Sequence, residues 1–348
     1  MPWTKISIEK TAIDFPDESS LGRSRRFITY GESIREALKQ ALKRDKNVIV
    51  LGEGVDDKSG IFGSTLKLNE SFPKRVFDMP IAENGMTGVA IGAAICGMRP
   101  VLVHMRMDFL LLSLDQIFNH AAKISYMSGG KAHVPLVIRS IIGRGWGSSA
   151  QHSQALHALF MHVPGIKVAM PSSPYDAKGL LLSSIADNNP VVFIEHRWLY
   201  DVKGFVPEDE YFIPFGKGVV RRKGKDVSVV AISLMVVKAL EAAGKLKEMD
   251  IDIEIIDPRT LNPFDEDLII KSVKKTKRLV ILDIGYKTAG LAQIILGRIH
   301  NSIRKYLISD VEIVSLPDTH TPSSSKLEEK YYGGMDDIIK AVRKAYGK

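Results

Sequence analysis

The feature that most constrains the fold of this chain is a set of short, apolar, β-branched segments separated by helical patterns. In the first half the segments lie at residues 48–51, 101–103, 136–138, 167–169 and 191–194. Helical patterns lie between most of them, at 85–96, 114–127, 154–161 and 174–187. Because the segments lack polar alternation, they are expected to be central strands with helices covering both faces. The sequence therefore predicts an α/β domain with a parallel sheet.

Thr29 and Glu32 have the spacing of a capping box, which predicts that a first amphipathic helix starts there and ends near Arg44. A polar, turn-rich stretch follows residue 199, as is typical of connectors between domains. A second alternating set comes after it, with strands at 227–232, 251–256, 278–282 and 311–314 and helices at 236–248, 266–274, 291–303 and 336–345. We therefore expect an exposed N-terminal arm (1–27), a first domain (28–204), a linker (205–225) and a second α/β domain (226–348).

Composition excludes several classes of protein. With 348 residues, 45% of them hydrophobic and 25% charged, the chain can bury a full core and is expected to be soluble. Its one cysteine, Cys96, rules out an intramolecular disulfide and a thiolate cluster, so a reducing, cytoplasmic setting is expected. No apolar stretch approaches the ~20 residues that span a bilayer. The net charge of +8 is spread along the chain, so neither nucleic acid nor membrane binding is predicted.

Two patterns suggest ligand sites but carry little weight alone. The glycine-rich segment 143–147 is only part of a dinucleotide fingerprint, so NAD binding is a runner-up interpretation. His152, His157 and His162 are five residues apart, whereas a zinc pair on one helix face needs a spacing of four. Taken from their spacing alone, these histidines are predicted to be polar or packing residues.

Glu83 is the most unusual carboxylate of the chain. It follows Met79-Pro-Ile-Ala82 and precedes a helix of small residues that includes Gly85, Gly88 and Gly92. Apolar surroundings favour the neutral form of a carboxylate, which makes Glu83 a candidate acid or base. The alternative is a glutamate that caps the helix. The small residues predict close packing of this helix against another, across a subunit interface.

Several motifs, in order along residues 28–348, resemble the β subunit of thiamine-diphosphate-dependent 2-oxoacid dehydrogenases (E1β). They are Pro80-Ile-Ala-Glu83, Met107-Asp-Phe109, Asp115-Gln116, Ala121-Ala-Lys123, Tyr126-Met-Ser-Gly-Gly130, Gln151-His-Ser-Gln154, Pro164-Gly-Ile-Lys-Val168, Pro174-Tyr-Asp-Ala-Lys-Gly179 and Asp257-Pro-Arg-Thr-Leu-Asn-Pro263. The resemblance implies a pyrimidine-binding parallel-sheet domain followed by a transketolase-type C-terminal α/β domain. The pyruvate and acetoin members look most similar.

The resemblance also implies roles for individual residues. Glu83 would hydrogen-bond N1′ of the cofactor's aminopyrimidine and so promote removal of the thiazolium C2 proton. Ile81 and Phe109 would form an apolar wall beside the pyrimidine. His152, in the family's His-Ser-Gln motif, would assist the chemistry or the transfer of the acyl unit to a lipoyl group. A structural K⁺ ion is implied at residues 184–189, where Ser184, Asp187 and Asn189 are the candidate ligands, although capping of a helix end by Asn188 explains this segment equally well.

The family motif that holds Mg²⁺ and the diphosphate, Gly-Asp-Gly followed by Asn, is absent from the sequence. The resemblance therefore implies an α subunit that supplies the Mg²⁺ site, in an α2β2 heterotetramer that is active only when complete. The further partner would be a lipoyl-bearing E2 acyltransferase. E2 binding domains are themselves basic in many members, so a net charge of +8 disfavours their encounter with this chain.

The sequence thus predicts the β subunit of an E1 dehydrogenase that decarboxylates pyruvate or a branched-chain 2-oxoacid, or that acts on acetoin, and passes an acyl unit to lipoyl-E2. Two alternatives remain: a non-catalytic assembly or binding protein on the same fold, and another split transketolase-like enzyme. Arg106 and the segment 139–147 depart from the family pattern near the expected site. These departures leave the substrate open more than the fold.

Overall fold

The structure is a computed structural model that describes residues 13, 15, 26–143 and 147–348. The first part of the chain alternates strands and helices. Its strands are β1 (Phe27–Thr29), β2 (Val48–Gly52), β3 (Val76–Asp78), β4 (Arg99–His104), β5 (Val137–Ile142), β6 (Lys167–Ala169), β7 (Val191–His196) and β8 (Lys203–Phe205). Its helices are α1 (Tyr30–Arg44), α2 (Leu68–Ser71), α3 (Glu83–Ile95), α4 (Met107–Leu110), α5 (Ala122–Met127), α6 (His157–His162) and α7 (Pro174–Ala186).

The second part repeats the alternation. Its strands are β9 (Val219–Arg222), β10 (Val227–Ala231), β11 (Ile253–Asp257), β12 (Thr260–Asn262), β13 (Leu279–Tyr286) and β14 (Glu312–Leu316). Its helices are α8 (Leu234–Glu248), α9 (Glu266–Thr276), α10 (Leu291–Ile303), α11 (Ser325–Tyr331) and α12 (Met335–Tyr346). These strands and helices confirm the predicted class, two α/β units in tandem.

The larger sheet has seven strands in the order β12-β6-β7-β5-β4-β2-β3, and only its edge strand β12 is antiparallel to its neighbour. Every residue of β5 and of β7 is buried, as expected for central strands. The second sheet has the order β14-β13-β10-β11-β9, and β9 is its antiparallel edge. Because β12 comes from the second part of the chain, the two parts share a sheet as well as an interface.

Local signals in the sequence explain where several elements begin. Thr29 is the N-cap of α1, and its hydroxyl and the carboxylate of Glu32 satisfy each other's backbone N–H groups, so the predicted capping box is confirmed. The helix predicted at 114–127 is present, with a π-helical stretch (Gln116–Ala121) before α5. The strand β9 lies within the predicted linker 205–225, where its two arginines concealed the strand pattern.

Most of the N-terminal arm lies outside the described residues, but Ile13 and Phe15 are described and both are buried. The backbone N–H of Ile13 donates to the carbonyl of Lys203, and the guanidinium of Arg221 lies 5.2 Å from the centre of the Phe15 ring. The prediction of an exposed arm is therefore wrong at these two residues, because both side chains are buried against the folded chain. None of the described helices is long and apolar enough to cross a membrane.

Candidate active site

Glu83 is the first residue of α3 and is buried, with 7% of its surface exposed. The preceding residue, Ala82, is the N-cap and offers no side-chain hydrogen bond, so the helix is not capped by a side chain. Within the described residues no side chain donates a hydrogen bond to the Glu83 carboxylate. The position places a carboxylate at the positive end of the helix dipole with its acceptor atoms free for a ligand.

A buried polar cluster lies one turn behind Glu83. The hydroxyl of Thr87 donates to the carbonyl oxygen of Glu83 at 2.7 Å and lies 2.9 Å from the hydroxyl of Ser113 and 3.3 Å from Nε2 of His104. Burial lowers the pKa of His104 to about 4, so the imidazole is neutral at pH 7. The cluster fixes the first turn of α3 against the end of β4 and therefore fixes the position of Glu83.

Phe109 and His152 are brought into contact. Phe109 lies on α4, directly after the end of β4, and His152 lies in the segment that leads into α6. Their ring centroids are 5.1 Å apart and the planes are at 78°, an edge-to-face arrangement. Phe109 is half-buried and His152 is exposed, so the imidazole is open to a substrate or partner.

Ile81 has 84% of its surface exposed, although it is a large apolar residue two positions before Glu83. Its side chain therefore lies on the surface of this chain, close in sequence to the buried Glu83. An exposed isoleucine beside a buried carboxylate is expected where a ligand or a second subunit covers both.

Sequence reasoning missed Glu53, which directly follows β2. Its neighbour in space is Asp78 at the end of β3, whose Oδ1 accepts the backbone N–H of Gly54 at 2.7 Å. Burial and the nearby charges of Glu83 and Asp78 raise the pKa of Glu53. Glu53, Asp78 and Glu83 are thus close enough for their charges to interact, at the carboxyl edge of the parallel sheet, where ligands of α/β proteins bind. The sequence feature that could have indicated Glu53 is its place in Gly52-Glu-Gly54, at the end of a buried strand.

Arg106, which departs from the family pattern, is buried and donates a hydrogen bond to the carbonyl of Gly143 at 2.7 Å. Burial and the neighbouring charge of Arg197 lower the pKa of Arg106. Gly143 has φ of +84°, and a Cβ there would lie 2.6 Å from the ring of His196. Residues 144–146 of the departing segment lie outside the described residues.

His157 belongs to an interdomain contact. Its Nε2 lies 2.9 Å from Oδ1 of Asp283 on β13, and both side chains are buried. Gly285 makes room for the ring, because a Cβ there would come within 2.8 Å of His157 Cε1. Burial would raise the pKa of Asp283, but His157 and two backbone N–H groups lower it overall. Among the described residues, no group of three His, Cys, Asp or Glu could hold a metal ion.

The 184–189 segment follows α7. Asp187 Oδ1 accepts both N–H groups of Asn189, at 2.9 Å from the backbone and 3.0 Å from the side chain, while Oδ2 contacts Lys167 Nζ. The hydroxyl of Ser184 donates to the carbonyl of Leu180. Among the described residues, the ammonium of Lys167 therefore forms an ion pair with Asp187.

Two family models match this chain and together cover most of it. "Transketolase, pyrimidine binding domain" matches residues 27–203, and "Transketolase, C-terminal domain" matches residues 216–338. A solved structure titled "Split gene transketolase, inactive beta4 tetramer" superposes with a TM-score of 0.76 at 25% identity, covering 92% of this chain and 98% of that one. The fold and the two family matches thus define a transketolase-like chain.

Curated relatives show to which family of transketolase-like proteins the chain belongs. "Acetoin:2,6-dichlorophenolindophenol oxidoreductase subunit beta" of Cupriavidus necator is 45% identical over 90% of this chain and 95% of its own length. "Pyruvate dehydrogenase E1 component subunit beta" of Rickettsia felis is 43% identical over 91% of this chain and 98% of its own length. The chain belongs to the E1β family of 2-oxoacid dehydrogenase β subunits, as its motifs predicted.

The family depends on thiamine diphosphate, and the described residues fit one half of that cofactor. Glu83 is a buried carboxylate that accepts no hydrogen bond from the described side chains, and Ile81 and Phe109 are apolar residues of the connections that follow β3 and β4. No cluster of acidic and histidine ligands for Mg²⁺ is present in the described residues. The residues described on this chain therefore fit the aminopyrimidine end of the cofactor.

Proposed function

We propose that this chain is the β subunit of a thiamine-diphosphate-dependent E1 dehydrogenase that oxidises a 2-oxoacid or acetoin and passes the acyl unit to a lipoyl group. The observation that carries the proposal is Glu83, a buried carboxylate at a helix start whose oxygens have no donor within the described part of the chain. The contact between Phe109 and His152 supports it. In the net reaction with a 2-oxoacid, CO₂ leaves, the lipoyl disulfide gains two electrons and a proton, and one sulfur receives the acyl group.

Glu83 is the proposed catalytic residue at the cofactor. The bound cofactor supplies the carbanion chemistry that protein side chains lack. Glu83 would hold a proton shared with N1′ of the aminopyrimidine, and its burial keeps that proton from exchanging freely with water. Thr87 maintains the position of Glu83 through its 2.7 Å hydrogen bond to the Glu83 carbonyl. Ile81 and Phe109 would exclude water from the pyrimidine.

His152 is the proposed residue for the transfer step. Its imidazole is exposed on this chain and is held by the ring of Phe109. An imidazole can deliver a proton near neutral pH, and the lipoyl sulfur that does not receive the acyl group must take one up. We assign His152 to that proton transfer.

An α subunit is part of the proposal, because the site on this chain is incomplete. α3 leaves a face uncovered: a Cβ at Gly85 or Gly92 would meet no atom within 4 Å, and Val89 and Ile95 are exposed on the same helix. Such a face accepts a close-packed helix from another chain. The structurally similar split transketolase is titled an inactive β4 tetramer, which supports the need for a second kind of subunit. We propose an α2β2 assembly whose α chain holds Mg²⁺ and the diphosphate.

The acyl acceptor is proposed to be the lipoyl group of an E2 acyltransferase. A net charge of +8 disfavours encounter with a basic E2 binding domain, so complex formation with such a domain should not weaken as salt is raised. We propose a cytoplasmic location, because Cys96 is exposed and the sequence contains no second cysteine with which it could form a disulfide.

A potassium ion at residues 184–189 remains a separate proposal. Oxygen ligands from Asp187 and Asn189 suit such an ion. It would compete with the ammonium of Lys167, which already neutralises Asp187. A rise in the melting temperature in KCl over choline chloride of equal ionic strength would support the ion, and equal melting temperatures would remove it.

The two named classes of relative do not decide the substrate, because their identities of 45% and 43% are almost equal. Reconstitution of the chain with its α subunit tests the proposal. Pyruvate, branched-chain 2-oxoacids and acetoin are supplied in turn, with 2,6-dichlorophenolindophenol as a two-electron acceptor. Dye reduction that needs both chains, thiamine diphosphate and Mg²⁺ is expected. Failure of the intact assembly to bind the cofactor would exclude the proposal.

If the assembly binds the cofactor and transfers ketol units between sugars without reducing the dye, the chain is a split transketolase, the second candidate. The similarity to a split-gene transketolase favours this candidate over a purely structural protein. A non-catalytic role is the conclusion only if neither reaction occurs.

A further inference from the structure

We propose that Asp108 is a positioning residue for His152, acting through Gln154. This inference rests on the proposed role of His152 in acyl transfer. Asp108 lies on α4 beside Phe109, and Gln154 lies two residues after His152. Asp108 lies within the motif Met107-Asp-Phe109, but the family resemblance implied a role only for Phe109.

The contact holds both the backbone and the side chain of Gln154. Oδ1 of Asp108 accepts a hydrogen bond from Gln154 Nε2 at 2.9 Å and a second from the backbone N–H of Gln154 at 3.3 Å. Bonds to a charged acceptor are stronger than those between neutral groups. A bond to the main chain limits where the backbone of the neighbouring residues can go, and His152 is among them.

Met107 and Phe109, the neighbours of Asp108 on α4, also contact the segment that contains His152 and Gln154. The backbone N–H of Leu156 donates to Sδ of Met107 at 3.1 Å, and the Phe109 ring packs edge-on against His152. Three successive residues of one short helix therefore contact residues 152–156. Met107 and Asp108 are buried, with 0% and 9% of their surface exposed, so the α4 residues that hold this segment belong to the protein core.

The second carboxylate oxygen of Asp108 indicates that the side chain acts as a hydrogen-bond acceptor through Oδ1 alone. Oδ2 is buried and has no hydrogen-bond partner within the described residues. Leaving an oxygen of a buried carboxylate unpaired costs stability. Asparagine could supply the same Oδ1 acceptor without a buried charge, so D108N is expected to keep the geometry and D108A to lose it.

The first test compares two steps of the reconstituted α–β assembly. D108A should slow acyl transfer to a lipoyl domain by ~10- to 100-fold, the range expected when a catalytic group is displaced by about 1 Å. Exchange of the C2 proton of the bound cofactor should stay within about twofold of wild type, because it depends on Glu83. D108N should restore transfer to within about threefold. Q154A should repeat the defect, and D108A/Q154A should be no worse than the more impaired single variant.

Asp226 provides a matched control. Its Oδ2 accepts the backbone N–H of Asp252 at 2.7 Å in the second domain, away from the site. D226A should therefore leave acyl transfer unchanged. Wild-type transfer in D108A, or equal loss of transfer and of C2 exchange, would overturn the proposal.

A second measurement does not need activity. The imidazole ¹⁵N resonances of the isolated chain, with His152 assigned by its loss in His152→Gln, report the position of that ring directly. D108A should shift or broaden the His152 resonances and D108N should not. Unchanged resonances in D108A would reject the positioning role even if the proposed dehydrogenase function holds. A shift in a protein without dehydrogenase activity would retain the positioning role and reject only the function.

Discussion

The imidazole ring of His152 stands edge-on to the phenyl ring of Phe109, with 5.1 Å between the ring centroids and 78° between the planes. The two residues belong to different connections above the same sheet, and their contact joins the proposed cofactor wall to the proposed proton donor. Edge-to-face pairs of this kind contribute about 0.5–1.5 kcal/mol beyond the area that they bury. Phe109→Leu should therefore loosen His152 and lower acyl transfer more than cofactor binding, as titration and transfer assays on one preparation can show.

The open face of α3 predicts a variant that folds but does not assemble. At Gly92 an added Cβ would meet nothing within 4 Å, so Gly92→Leu should leave the melting temperature of the isolated chain unchanged or slightly raised. In the α–β assembly the same side chain should prevent close helix packing and abolish co-purification. Gly244→Leu on α8 is the matched control, since Gly244 is equally open and lies in the second domain. Normal assembly of Gly92→Leu would show that this face is not the interface.

His104 predicts a loss of stability in acid. Its pKa is lowered to about 4 in the folded chain from about 6.5 in the unfolded chain, so the unfolded state binds more protons between these values. The stabilisation is complete above pH 6.5 and is lost as the pH falls toward 4, by about 3 kcal/mol in all. Urea unfolding of wild type and His104→Leu across this range tests it. The variant should lack this part of the pH dependence, and identical profiles would contradict the prediction.

Glu53 predicts a smaller effect of opposite sign. Burial and the charges of Glu83 and Asp78 raise its folded pKa, so the ionised carboxylate costs stability above that pKa and the cost disappears as the pH falls below its unfolded value. Glu53→Gln should stabilise the isolated chain at pH 7 by a few tenths of a kcal/mol, since the group is half-exposed and screened. At pH 4 the two chains should unfold together. Destabilisation at pH 7 would mean that Glu53 is held by a favourable contact.

The His157–Asp283 pair predicts a large interdomain effect. Removing one partner of a buried pair leaves the other uncompensated, so Asp283→Leu should lower the free energy of unfolding by roughly 3–5 kcal/mol. Lys247→Met breaks the pair that the exposed Lys247 forms with Asp252 and should cost less than about 0.5 kcal/mol. Chemical denaturation of both variants measures the difference. Equal, small losses would show that the domains do not depend on the buried pair.

The sequence predicted what depends on neighbours along the chain. The capping box at Thr29, the central strands and the motif residue Glu83 were all identified from local pattern or resemblance. The strand β9 was missed because an edge strand with two arginines does not look apolar. Glu53 was missed because only its proximity to Glu83 and Asp78 in the folded chain makes its carboxylate unusual. The contacts of His157 with Asp283 and of Asp108 with Gln154 join distant parts of the chain, so no local pattern could indicate them.

The central claim, that Glu83 acts on the cofactor's aminopyrimidine, is tested most directly by exchange of the cofactor's C2 proton with deuterium in the reconstituted α–β assembly. Glu83→Gln keeps the shape of the side chain and removes its charge, so the assembly and cofactor binding should survive. Exchange should slow by at least ~100-fold, the lower range for loss of a general acid or base. Exchange at the wild-type rate in a fully loaded Glu83→Gln assembly would contradict the assignment.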